Sequence, residues 1–373
     1  MLEPVLYIGI AQSIFGGLVI ATRKPQLPAD RILSAWLFLI ALEMILSLLK
    51  ITWLEHLPYE IPFLVLPLTY GPFLYLYVRT LISESLTNRW SDLIHFAPFI
   101  IFLGLAFLFR TDIGLDIRLP VWANPSKLAK VIYEILLFSS FTTYSILAYI
   151  LLTRHRKAIR EEFSYSSGKI TLTWLLFLSI TVYASYALTF LSAGIQMFVI
   201  HLPFDPKIFS FIGLTLISFA FSFYGHQQSG IYHGRKPAII ELPMEENSGK
   251  YAKSGLSQDE LIAITESLQK LMETDQLFTN PELTLADVSE KLAIPRHHLT
   301  QAINTVLNKN FFTYINELRV KLFLERFVQR KYKGYTILAI AYDCGFNSKS
   351  TFNSVFKKIT GFTPTEYLNS LSI

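Results

Sequence analysis

Charge is scarce in this sequence. Only 16% of its 373 residues are Asp, Glu, Lys or Arg, where a soluble domain carries about 25%. The scarcity is uneven. Residues 1–224 hold 16 Lys/Arg and 13 Asp/Glu, while the much shorter stretch 256–373 holds 13 and 12. The chain therefore reads as two regions suited to different solvents. Cysteine is nearly absent as well. A single one, Cys344, excludes a disulfide framework or a cysteine-based zinc site within one chain. Its place on an apolar helix face marks a small buried residue rather than a reactive thiol. Catalytic signatures are missing too: there is no H-E-x-x-H, no G-x-S-x-G and no glutamate pair followed by the arginine of intramembrane proteases. No enzymatic activity, cofactor or metal is expected.

What is abundant is apolar sequence. Hydrophobic residues make up 52%, including 30 Phe and 19 Tyr. Runs long enough to cross a bilayer, about 20 residues, number seven: Pro4–Ala21, Leu33–Trp53, Ile61–Ile82, Leu93–Phe109, Val131–Leu152, Leu172–Ile195 and Ile208–Tyr224. The fourth is short, and the third contains Pro62, Pro67, Gly71 and Pro72. Membrane helices tolerate proline where neighbouring groups satisfy the freed carbonyls. The first run is not expected to be a cleaved signal, because Arg23 and Lys24 follow it and no basic residue precedes it.

That asymmetry puts the N-terminus outside under the positive-inside rule. Inward-facing connections would hold Arg23, Lys24 and Arg31, then Arg89, then Arg154, Arg156, Lys157, Arg160 and Lys169. Outward ones would hold Arg110, Arg118, Lys127, Lys130 and Lys207. Nine basic residues inside against five outside, with an odd number of spans, leave the C-terminal region in the cytoplasm. All five Trp lie in the apolar region, mostly near span ends, where the amphipathic ring suits the headgroup layer.

Ionisable residues within spans are candidates for function because burying them there is costly. Glu43 and Lys50, seven apart, share a helix face, and Glu134 lies near the start of the fifth run. Glu43 suits ligand sensing or interhelical pairing, and equally structural burial. Glu134 and His95 could simply reach the interface. From Gly225 to 256 Gly, Ser, Pro, Lys and Glu dominate and no hydrophobic period persists, which marks a linker.

The last region is patterned differently. Ser257, with Glu260 three residues on, opens an amphipathic helix. Thr284 with Asp287 caps a short helix Leu285–Leu292, Ala293 and Ile294 make a tight turn, and Pro295 begins a second helix. On that helix Leu299, Ala302, Ile303 and Val306 share one face, opposite His297, Gln301 and Asn304 with Thr300 and His298 alongside. Two short helices about a tight turn, the second with an outward polar face, form a helix-turn-helix. The pattern then repeats. Thr336 caps Ile337–Cys344, Gly345 turns, and Asn347 or Ser348 caps a helix to Lys358. Phe352, Val355 and Phe356 face inward there, with Ser350, Thr351, Asn353, Ser354 and Lys357 outward or beside them. A long helix, about Thr313–Gln329, would fix the spacing, and Thr363, Pro364 and Glu366 cap a last helix.

The stretch "IAYDCGFNSKSTFNSVFKKITGFTPTEYL" fits the pattern A-x3-GF-x-S-x-S-x-F-x3-FK-x3-G-x-TP-x2-Y. In this it resembles the AraC/XylS-type regulators, and the apolar runs resemble that family's membrane-embedded branch. The resemblance covers about residues 275–373. It implies that His297, Thr300 and Gln301, and in the second unit Ser350, Thr351 and Ser354, read bases, with Asn304 and Asn353 on the same faces. Arg296, Lys349, Lys357 and Lys358 are then expected on phosphates. Many members carry Arg where Ser354 stands, which implies looser or different reading by that helix.

Charge agrees with such a surface. Residues 256–290 sum to −7 and residues 291–373 to +8, as a phosphate-binding end requires. The expected fold is all-α: a seven-span transmembrane domain (1–224), a flexible linker (225–256) and a DNA-binding domain (257–373) with helix-turn-helix units at about 284–307 and 336–358. The expected partners are double-stranded DNA, the lipid bilayer, an unidentified small-molecule or membrane signal, and a second copy of the chain in a homodimer. The expected place is a bacterial cytoplasmic membrane, with the signal passing through span seven and the linker. The alternative is a transporter or lipid-modifying membrane protein with an autoregulatory DNA-binding tail.

Overall fold

Proline decides which apolar runs become long helices. In the computed structural model, which describes residues 2–52, 62–82, 90–109, 125–166, 171–228, 256–327, 329 and 334–371, the first two runs form α1 (Leu2–Ala21) and α2 (Pro28–Thr52). The third does not stay helical throughout. It is a 3-10 stretch, Pro62–Thr69, leading into α3 (Tyr70–Ile82), with Pro67 inside the 3-10 segment and Pro72 in the first turn of α3. The fourth is likewise a 3-10 stretch, Trp90–Phe96, followed by α4 (Ala97–Phe109), where Pro98 lies in the first turn. Proline lacks the N–H and clashes with the preceding turn, so it confines an α-helix to the residues on its C-terminal side. Each of α3 and α4 has 13 residues, about 20 Å at 1.5 Å per residue, short of a hydrocarbon core of about 30 Å.

The remaining runs form α5 (Pro125–Glu162), α6 (Thr173–Phe198) and α7 (Lys207–Gln228). Among the described residues five helices, not the seven expected, are long and apolar enough to cross a membrane. The fifth expected run ends at Leu152, but its helix continues through the basic stretch to Glu162. The expected linker lies outside the described residues from 229 to 255, as do Arg89, Arg110, Arg118 and Lys169.

The chain divides into two units, Met1–Thr153 with Leu172–Ile240, and Arg154–Thr171 with Glu241–Ile373. In the first, α1 packs on α2 and α7, and α7 on α6. Small residues on α1 make this possible: a Cβ on Gly9 would sit 2.7 Å from Thr215 Oγ1, and one on Gly16 would overlap the Ser222 hydroxyl. Between them Ser13 Oγ lies 2.7 Å from Ser218 Oγ, and Gln12 Nε2 donates to Ser222 Oγ at 3.0 Å. Small residues with interhelical hydroxyl bonds are the usual means by which helices in lipid approach closely. At the end of this layer Arg23 Nη1 donates to Gly225 O at 2.8 Å and pairs with Asp30 at 3.8 Å.

Among its described residues the second unit is helical apart from turns and an isolated bridge, Phe163 with Thr284. Its helices are α8 (Gln258–Asp275), α9 (Leu285–Leu292), α10 (Arg296–Val306), α11 (Phe311–Phe327), α12 (Ile337–Asp343), α13 (Lys349–Thr360) and α14 (Pro364–Leu371). Two apolar clusters build it. Leu268 and Met272 of α8 meet Val288, Leu299, Ile303 and Ile315 in one, and Phe323 meets Ile340, Phe346, Phe352 and Phe356 in the other. The helix α11 contributes to both, so it joins the two as a shared wall. Each such fully buried side chain contributes about 1.5–3 kcal/mol relative to exposure.

Candidate nucleic-acid interface

Local chemistry explains where each helix of the two units starts and stops. Thr284 Oγ1 accepts from the Asp287 N–H at 3.2 Å, and the Asp287 carboxylate accepts from the Thr284 N–H at 2.8 Å, a reciprocal box that opens α9. Ala293 ends it in the left-handed region, φ +54°, and the Ser289 hydroxyl donates to Ile294 O at 2.6 Å. The helix α10 follows Pro295 without a side-chain cap. In the second unit Thr336 caps α12 and Ser348 Oγ accepts from the Thr351 N–H at 3.2 Å to open α13. Gly345, at φ +98°, makes the turn, and a Cβ there would lie 2.8 Å from Thr279 O. Only glycine suits both the angle and the approach.

The second recognition helix presents its polar face openly. Lys349, Ser350, Asn353, Ser354, Lys357 and Lys358 are exposed, and Thr351 is half-buried with its hydroxyl accepting from Ser348 Oγ at 2.8 Å. On α10 His297 is exposed, and Thr300 and Asn304 are half-buried. The Thr300 hydroxyl donates to Arg296 O at 3.0 Å. Gln301 differs from the outward placement that helical periodicity assigns: it is 5% exposed. The helix α8 packs along α10, so more of that helix is covered than an isolated helix-turn-helix would cover. Arg296, the first residue of α10, is exposed, and its guanidinium lies 3.3 Å from the Glu162 carboxylate.

Behind these faces sits a polar core that sequence patterns did not reveal. Arg319, on α11, is 1% exposed. Its Nε donates to Phe278 O at 2.7 Å and its Nη2 to Asn280 O at 2.7 Å and Ser164 Oγ at 3.0 Å. Its Nη1 donates to Ser164 O at 2.9 Å. Burial pulls its pKa down to about 9, which leaves it charged at neutral pH with carbonyls arranged to receive it. Nothing marks Arg319 or Ser164 in the sequence, since α11 carries other charged residues as well. Cys344 is buried, and burial pushes its thiol up to about 11, which makes it unreactive.

The residues singled out in the apolar region belong to the other unit. Glu43 is buried and accepts from the Tyr70 hydroxyl, while Lys50 and Glu134 are half-buried. The His297 and His298 rings stand 4.1 Å apart, and no group of three His, Cys, Asp or Glu suited to a metal occurs among the described residues.

Comparison with known proteins concerns the second unit. A family model described as a helix-turn-helix domain matches residues 288–370. An HTH-type transcriptional activator, RhaS of Mannheimia succiniciproducens, is 33% identical over 85 residues, 23% of this chain. The match spans only 31% of that relative's length. No solved structure matches the chain. With both units formed about a shared central helix and this similarity across them, the C-terminal part of the chain is a helix-turn-helix domain of the AraC/XylS type.

Proposed function

We propose that this protein is a membrane-embedded, sequence-specific DNA-binding transcription regulator that couples a periplasmic or membrane signal to gene expression. The observation that carries the reading is the pair of helix-turn-helix units on α11, each with a polar second helix, at the positively charged end of the chain. His297, Thr300 and Asn304 of α10, and Ser350, Thr351, Asn353 and Ser354 of α13, would meet base edges in successive major-groove faces about 34 Å apart. Arg296, Lys349, Lys357 and Lys358 would meet phosphates, which set register and affinity without reading sequence. Gln301 drops out of the reading set because its side chain is covered.

Membrane embedding is supported by the outer faces of the long helices, which expose Phe15, Phe177, Leu191 and Phe198. Exposed apolar side chains along such helices suit a lipid or partner surface. With five spans, also an odd number, the DNA-binding end would again lie inside. The buried Glu43–Tyr70 pair is the place where a signal in the bilayer would be read.

The test uses the full chain in lipid nanodiscs, selecting duplexes from a random pool at about 0.15 M salt. Enrichment of a site with two blocks one helical turn apart is expected. Asn353→Ala should relax one position by about 1–3 kcal/mol. Lys357→Ala should weaken every sequence alike and lower the salt slope by about 0.9. Failure to enrich any sequence over the random pool would overturn the reading.

A further inference from the structure

The residues just past the apolar stretch of α5 belong to the DNA-binding unit, not to the apolar one. Ser164 is completely buried there, and each of its polar groups is taken up. Its N–H donates to Leu283 O at 3.1 Å and its hydroxyl to the same carbonyl at 2.7 Å. Its carbonyl accepts from Asn316 Nδ2 at 2.8 Å and from Arg319 Nη1 at 2.9 Å. Phe163 pairs with Thr284, the cap of α9, and Glu162 holds Arg296, the first residue of α10. A short segment thus fastens to the entrance of the first helix-turn-helix and to the central helix at once.

A surface loop packed for shape alone would not need a buried arginine with one donor aimed at its backbone and another at its hydroxyl. Leaving those donors unpaired would cost about as much as several ordinary hydrogen bonds contribute. The site is therefore built to hold this segment. Its outermost contact also lies where DNA would have to be met. A carboxylate and a phosphate carry the same charge, and both cannot occupy one guanidinium without repulsion.

We infer that Glu162–Tyr165 is an internal ligand of the DNA-binding unit, and that Glu162 withholds Arg296 from DNA phosphate. The inference rests on the DNA-binding reading above. Docking of the segment and engagement of DNA oppose each other, and by linkage whatever frees the segment strengthens DNA binding by the same factor. The segment continues directly from α5, which runs unbroken from Pro125 to Glu162. Control of the recognition helices then enters through α5, in addition to the stretch after α7.

The test compares full-length wild type, Glu162→Gln, Arg296→Gln and the double variant in nanodiscs, titrated with a fluorescent random-sequence duplex over a range of salt. Glu162→Gln should tighten binding about two- to fivefold, the size of a partly exposed ion pair. Its log–log salt slope should steepen by about 0.9, one more phosphate engaged. In the Arg296→Gln background the same change should have no effect. Ser164→Ala should speed amide exchange at 162–165 and shift affinity in the same direction. If it fails to fold, the Glu162 and Arg296 cycle decides alone. Unchanged affinity in Glu162→Gln, or an equal gain without Arg296, would overturn the inference while leaving DNA binding intact. Absence of any duplex binding by wild type at low salt would instead sink the DNA-binding reading itself, and this inference with it.

Discussion

In the first helix-turn-helix unit the turn is made by Ala293 at φ +54°, and the recognition helix follows Pro295 with no side-chain cap. In the second, Gly345 at φ +98° makes the turn and Ser348 caps the helix. The partners differ as well. The first unit is flanked by α8, which packs on α10, and by Glu162, which holds Arg296. The second leaves its polar face and its lysines open. Two copies of one motif have thus been given different surroundings. Both pack on α11, but only the first adds contacts from α8 and from Glu162.

The largest test of that difference is the residue both units share. Arg319→Ala would leave the buried Phe278 carbonyl without its donor and take one donor each from the carbonyls of Asn280 and Ser164. A loss of about 3–5 kcal/mol in the unfolding of the C-terminal part is expected, measured by denaturant titration. A loss under about 1 kcal/mol would mean that water replaces the guanidinium and that the core does not tie the units together.

The turns offer the next test, with opposite signs. Gly345→Ala must adopt a left-handed angle and press its Cβ against Phe278 O and Thr279 O, at a cost of about 2–3 kcal/mol. Ala293→Gly relieves an alanine already in that region and should stabilise by about 0.5–1 kcal/mol. Thermal melts of the two variants would move apart. If both moved the same way, the turns would be equivalent and the comparison would fail.

The smallest effect belongs to the last helix, outside both motifs. Glu366 accepts from the Thr363 N–H at 2.8 Å, which holds its carboxyl below the ordinary 4.5. A depressed folded pKa gives stability that is present above 4.5 and is lost as pH falls through the lower folded value. Glu366→Gln should therefore lower the melting temperature slightly at pH 7 and not at all in strong acid. A difference that persists in acid would assign the effect to packing.

Much of this fold is legible locally. The helix Leu285–Leu292 has the bounds its caps imply, and the boxes at Ser257, Thr284 and Thr363 all form, because each depends on residues three apart. The inward positions Phe352, Val355 and Phe356 follow from a 3.6-residue period. Apolar length alone misled for the third and fourth runs, where proline limited the helix. Periodicity placed Gln301 outward, whereas it is buried, since a single helix cannot show what will pack against it.

The sequence by itself determined the two kinds of region, the paired helix-turn-helix pattern and the outward face of its second recognition helix, because composition and short-range spacing encode them. Only the tertiary structure decided that α5 ends inside the DNA-binding unit. Its fastening depends on bonds such as Arg319 to Ser164, between residues 155 positions apart. No local pattern announces such a bond: a serine in a polar stretch and an arginine on a helix acquire their roles only when folding brings a carbonyl within reach of a buried guanidinium.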